Sequence, residues 1–401
     1  MAFAGLRGTG SWGTDERPKN FREMILWKNP NGSAPLFALM AKTKKENVDD
    51  PEFSWWEEAL RPVRLSVNYS TGYSSSDNTI VVDADDGAAV SGGLRVVAGD
   101  VLQIEKTETA TYDAELVLVS SVTSDTTIVI KRGIAGSSGA SLADNVFLTK
   151  IGNAYEEGSL SPDISNRNPT KKTNYVQIFK TAVGLTNTAS KTYARTGDAW
   201  TNDKKRKMFD HSNAIEFALL FGRNHEDTSG TFPKRYTAGL RKQVTTNVTI
   251  FSTTPTEDTL LSAIYPVFNF SAGGGAGDQR LILAGNVFLN SLNKLARSST
   301  NSRITFDGVV KVYGMSLQRW ITPQGEFLIK THPLMNLHGK YSSYGFIIDP
   351  TGLVWRPMRD TKFEDNIQAP DADLRKGQWL TEAGLEVQHE ETMGILGNVI
   401  V

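Results

Sequence analysis

Gly8, Gly10 and Gly13 of GLRGTGSWG have the spacing of a dinucleotide-binding turn. That chemistry needs a strand leading into the turn and an apolar helix after it, so that backbone amides meet a pyrophosphate. Neither flanks this stretch, and the reading is rejected. Ser271–Gly277, SAGGGAG, lacks the Lys-Ser/Thr pair of a phosphate loop. The five histidines (211, 225, 332, 338 and 389) show no HExxH and no tight metal-ligand spacing. His332 and His338 flank THPLMNLH in an expected loop, where surface or packing roles stand against a ligand role. Glu156–Glu157 and Glu390–Glu391 are paired acids of a kind common on surfaces, and Asp100 follows Gly99 in an expected turn. No Gly-x-Ser-x-Gly elbow is present. With no cysteine at all, disulfides, thiolate zinc sites and cysteine nucleophiles are excluded. The residues assemble no catalytic constellation; no enzyme activity, metal or cofactor is expected.

The totals point elsewhere. A chain of 401 residues can hold two or three domains. Its hydrophobic fraction is a modest 39 % and glycine is plentiful at 35, which favours strands, turns and extended arms. A net charge of −1 argues against a whole-molecule nucleic-acid binder and leaves room for a local basic patch. The N-terminal sequence carries no apolar run with a cleavage site. No stretch of about 20 apolar residues could span a bilayer.

The longest helical candidate is NDKKRKMFDHSNAIEFALLFGRNHED, Asn202–Asp227, with Asn202 or Asp203 as the expected cap. About 23 helical residues would extend roughly 35 Å. Its second half is apolar nearly all round, with Met208, Phe209, Ile215, Phe217, Leu219, Leu220 and Phe221, and leaves a narrow polar strip of Ser212, Glu216 and Arg223. Its start holds Lys204, Lys205, Arg206 and Lys207 in a row. Four cations at a helix N-terminus oppose the macrodipole, so either they are a solvated face or an external anion meets them.

Residues 1–62 read as an extended arm with short apolar patches: Phe21, Ile25 and Leu26, then Leu36, Phe37, Leu39 and Met40. ENVDDPEFSWWEE follows, with six carboxylates, among them Asp49, Asp50 and Glu52, around Phe53, Trp55 and Trp56. Such patches cannot bury themselves and suit docking on another body; burial of Trp55 and Trp56 in the chain's own core is the alternative. From 63 to about 150, β-branched runs separated by turn signals read as four or five strands of a small all-β module. Residues 151–202 read as a long polar loop with one strand, YVQIFKTAV. The rest, about 228–401, reads as α+β, with helices at TEDTLLSAI and NVFLNSLNKLARSS and mainly strands after 300.

This layout and several strings resemble a known family. WKNPNGSAPLFALMAKTKKENVDDPEFSWWEE, IGNAYEEGSLSP, PTKKTNYVQIFKTAVGLTNTA, GDAWTNDKKRKMFDHS, EFALLFGR and WLTEAGLEV are similar to one family of major capsid proteins of tailed bacteriophages, which have the Hong Kong 97 fold. The resemblance implies an α+β shell protein without catalytic function. It implies an N-arm at 1–62, an extended loop at 63–202 carrying an inserted β domain at about 68–150, and a peripheral domain at 203–255 with its spine helix at 203–225. An axial domain would occupy mainly 256–345, and 346–401 would return to the peripheral domain. The implied partners are further copies in hexamers and pentamers, a portal, scaffold or decoration proteins, and packaged DNA on the inner face, without a membrane. The implied location is the virion, assembled in host cytoplasm. The segment 46–58 of one subunit is expected to dock near Lys204–Lys207 of another. Two other readings stay open at this point: a carbohydrate- or surface-binding module carried by the β domain, and an enzyme with no recognisable motif.

Overall fold

The computed structural model describes residues 35–400 apart from 41–42, 59–62, 84–88, 91–92, 95, 106–114, 125, 163–168, 195, 271–278, 299–305 and 313–314. Phe21, Ile25 and Leu26 of the arm, and the Ser271–Gly277 run, lie outside the described residues. The chain divides into two compact units. Described residues up to Trp55 and from Thr173 onward form the first, and Trp56–Lys172 the second. The mixed helix and strand content is the α+β class expected.

In the first unit, the apolar run RLILA at Gln279–Ala284 explains the central sheet. Successive side chains of a strand point to opposite faces, so a strand covered on both faces is apolar throughout. Leu281 and Leu283 enter one core, and Ile282 and Ala284 another. The neighbours divide in the same way: Leu328 against Phe327 and Ile329, and Phe346 and Ile348 against Ile347. The seven strands run in the order Val248–Ile250, Gly394–Gly397, Gly345–Ile348, Gln279–Ala284, Gly325–Thr331, Met315–Thr322, Phe306–Val312. One core takes Leu260 and Ile264 of the helix Glu257–Ile264, with Phe288, Leu292 and Leu295 of Asn286–Ser298. Thr256 starts the first of these helices by capping Thr259 N.

The other core lies between this sheet, the long helix and a four-stranded sheet. That second sheet runs Lys44–Lys45, Leu353–Glu364, Leu374–Val387, Gln177–Thr186. Gln177–Thr186 pairs in antiparallel register with Leu374–Val387 along its full length. The stretch from 173 to 202, expected as part of a long polar loop with one strand, YVQIFKTAV, is built into the first unit, and that strand is Gln177–Thr186. Its alternating Phe179 and Val183 have a face to bury.

The long helix is Ala199–Phe221, four residues earlier than the expected 203–225. Asp198, not Asn202 or Asp203, is the cap; its carboxylate accepts from Thr201 N at 3.0 Å. Gly222 ends the helix because the chain returns against it. A Cβ there would sit 2.3 Å from Thr237 O and 2.5 Å from Ala218 O.

The second unit holds a six-stranded sheet in the order Arg64–Ser66, Phe147–Asn153, Asp100–Glu105, Leu116–Ser124, Thr127–Lys131, Thr79–Val81. Its alternating residues Leu65, Ile80, Leu102, Ile104, Val117, Val119, Ile128, Ile130 and Leu148 make a core of their own. The unit begins earlier and ends later than the 68–150 expected for the β module. Asp100 closes the turn before its strand by accepting from Val97 N at 2.9 Å, and it pairs with Lys150 at 2.6 Å.

Candidate functional site

The corrected helix start changes the basic run. Lys204–Lys207 lie in its second and third turns, beyond the first-turn amides, so they do not oppose the macrodipole there. Each cation has a different setting. Lys204 Nζ stands 3.8 Å over the Phe363 ring, and its carbonyl accepts from Trp379 Nε1 at 3.2 Å. Arg206 pairs with Asp203 at 3.8 Å and Lys207 with Asp210 at 3.2 Å, one turn apart along the helix. Lys205 is exposed.

The acidic segment is split as well. Phe53 is 7 % exposed and lies against Gly384, where a Cβ would come within 2.5 Å of its ring. Trp55 is half-buried, with its ring centroid 6.1 Å from that of Phe53, and Trp56 is 64 % exposed. Asp49, Asp50 and Glu52 are exposed, and Asp50 accepts from Glu52 N at 2.8 Å. Glu46 is held within the chain by Lys44 and Arg356; the Lys44 hydrogen bond leads in keeping its carboxyl below the usual range.

The structure does not bring the two charged segments together in one chain. Trp379 and Gly384 belong to the same strand, Leu374–Val387, and their positions differ in parity. Successive strand residues face opposite ways, so Lys204 and Phe53 lie on opposite faces of the four-stranded sheet.

Sequence reading missed the residue that ties the first unit together. Glu216, expected in the narrow polar strip of the helix, is fully buried. Its carboxylate accepts from Leu36 N at 2.8 Å, from Phe37 N at 2.6 Å and from His332 Nε2 at 2.6 Å. Met335 N donates to His332 Nδ1 at 3.3 Å, which leaves the proton on Nε2. The cluster caps the helix Pro35–Met40, and Leu36, Leu39 and Met40 pack into the unit's core. These apolar residues of the arm were expected to dock on another body. They bury against their own chain instead, because Glu216 supplies an acceptor for the amides that helix would otherwise leave unpaired. The signal lay in Leu219 and Leu220, three and four positions on, which share a helix face with Glu216. Met208 and Phe217, expected in the apolar surround, are 44 % and 37 % exposed.

His211 is the other buried polar residue of the helix. It spans Thr181 Oγ1 at 3.0 Å and Thr381 Oγ1 at 2.8 Å, and burial lowers its pKa. Among the described residues, no group of histidines and carboxylates could hold a metal ion. No described helix is long and apolar enough to cross a membrane.

Among protein families, the SU10 major capsid protein family matches residues 6–399. The major capsid protein of Pseudomonas phage PaMx41 is 26 % identical over 373 residues, covering 90 % of this chain and 84 % of that one. Among solved structures, a chain from Mycobacterium phage Cain gives a TM-score of 0.45 at 7 % identity, covering 96 % of both chains. The SrpI encapsulin of Synechococcus elongatus PCC 7942 gives 0.41 at 15 % identity, covering 60 % of this chain and 78 % of that one. The family match carries the assignment; the distant structural likenesses add nothing to it.

Proposed function

Because this chain belongs to the SU10 major capsid protein family, and is thus a structural subunit of a phage capsid shell, we propose that its copies join as hexamers and pentamers around packaged double-stranded DNA. The observation carrying this reading is the family match across residues 6–399. A closed shell requires one chain to bind copies of itself at several interfaces. In the Hong Kong 97-like arrangement proposed here, the long helix is the spine of the peripheral domain, the seven-stranded sheet belongs mainly to the axial domain, and a β domain at about 68–150 is carried on the extended loop. A portal and scaffold or decoration proteins complete the proposed partners.

One proposed contact joins residues 46–58 of one copy to Lys204–Lys207 of another. Lys205 and Asp49 are exposed, Trp56 offers an aromatic anchor, and Phe53 and Lys204 lie on opposite sheet faces within a chain. The pairs Arg206–Asp203 and Lys207–Asp210 are surface pairs along a helix, worth about 0.3–0.5 kcal/mol each, so exchanging them costs little. Light scattering on the purified chain should find large particles. Reversing charge at Asp49 and Asp50, or at Lys205 and Lys207, should reduce particle yield, and combining both reversals should restore it. Failure of the combination to restore yield would count against the contact; a lasting monomer from the unaltered chain would count against the shell itself.

A further inference from the structure

A pocket of about 950 Å³ opens in the first unit just beyond the C-terminal end of the long helix. Phe221 and Tyr341 stack at 4.2 Å on its wall, and Tyr236 adds a third ring. Arg223, Arg241 and Lys242 bring three cations to it, and no ion pair joins them to a carboxylate among the described residues. Gathering like charges at one concave site is costly unless an anion joins them. The aromatic walls ask for an apolar group beside that anion. A DNA duplex is a convex rod with one charge per about 1.7 Å of axis, which suits an open stripe better than a ring-walled pocket.

The second unit carries a segment of the complementary kind. Residues 154–162, AYEEGSLSP, are all exposed. Ser159 N donates to Glu156 O at 3.1 Å and Gly158 has a φ of 75°, so the segment is a formed turn. Tyr155 pins its base by donating to Ala98 O at 3.0 Å and lying over Gly99. The tip presents Glu156 and Glu157, with no ion pair among the described residues, and Leu160, which is 91 % exposed. A preformed loop loses little conformational freedom on docking.

We propose that this loop of one copy enters the pocket of a second copy, with Glu156 and Glu157 meeting the cations and Leu160 meeting the aromatic walls. The inference rests on the capsid reading, because only an assembly keeps copies side by side.

The chain has no cysteine, so introduced thiols are unique. Leu160→Cys and Lys242→Cys are prepared as separate full-length chains, assembled together and treated with a short bismaleimide. A covalent dimer should form in mixed particles and in particles of neither variant alone. Particles that form without that dimer would overturn the inference and leave the capsid reading intact, whereas absence of particles from the unmodified chain would overturn both. Should a cysteine variant fail to assemble, charge exchange decides. Glu156→Lys with Glu157→Lys, or Arg241→Glu with Lys242→Glu, should each lower particle yield at least tenfold, and the four together should restore it; no restoration would overturn the inference. Shielding of the Lys242→Cys thiol from maleimide only in DNA-filled particles would assign the pocket to nucleic acid and overturn it equally.

Discussion

Glu216 and Glu115 are both buried carboxylates with several donors, yet they join different kinds of neighbours. Glu216 receives amides from Leu36 and Phe37 and the imidazole of His332, all more than a hundred residues away. Glu115 receives Arg132 through both oxygens at 2.7 Å, Gly133 N at 3.1 Å and Ala140 N at 2.8 Å, all within one stretch of the second unit. The first unit is thus closed by long-range polar contacts among separate parts of the chain. The partners of Glu115 all lie within 25 positions of it, inside a unit that has its own core.

The largest effect is expected at Glu115. Glu115→Ala leaves the Arg132 guanidinium buried without its partner, a loss of about 3–5 kcal/mol. Hydrogen exchange should show protection lost across residues 64–153, with the first unit unchanged; losses in both units would end the claim of independence. Glu216→Gln replaces one acceptor oxygen by a donor and leaves at least one amide or His332 unpaired, at about 2–3 kcal/mol. Protection should fall together near 36–40 and 332–335. A loss confined to the long helix would show that Glu216 does not tie these segments.

Acid should reach the units in order. Burial lowers the pKa of His211 from its ordinary 6.5, so the unfolded chain binds the proton first. The stability that neutral His211 contributes is full above about pH 6.5 and is lost as pH falls below it. Burial works to raise the Glu115 carboxyl, but Arg132 and the Ala140 and Gly133 amides outweigh it and hold the pKa below 4.5. Its contribution is full above about pH 4.5 and is lost as pH falls further. Hydrogen exchange between pH 7 and pH 4 should therefore weaken the first unit before the second, and His211→Gln should remove the first part of that slope. The smallest effect on folding is expected at exposed Lys205. Lys205→Glu should change stability by no more than about 0.5 kcal/mol in thermal denaturation, while lowering particle yield.

Much of the fold was legible where local chemistry decided it. The Thr256 cap, the apolar RLILA strand and the alternating β runs of the second unit each declare their element through residues that are close in sequence. The long helix was legible in existence but not in its start, because Asp198 lay before a run that itself looked like a helix beginning. Glu216 was unreadable as a buried group, since the amides it satisfies lie 180 residues away and a carboxylate on a helix is ordinarily solvated. For the same reason Leu36, Leu39 and Met40 looked like anchors for another body. Their pocket is assembled from strands near 281, 346 and 385, which no local pattern announces. Of the surface residues singled out, Trp56 and Lys205 are exposed as an intermolecular contact requires, whereas Phe53 and Lys204 serve the chain's own packing.

A shell subunit must close on copies of itself. Negative-stain electron microscopy of the purified chain, with no other protein added, addresses it directly. Closed, roughly spherical particles of uniform diameter with six-fold and five-fold clusters on their surface are expected. A field of monomers at every concentration and salt condition would contradict it.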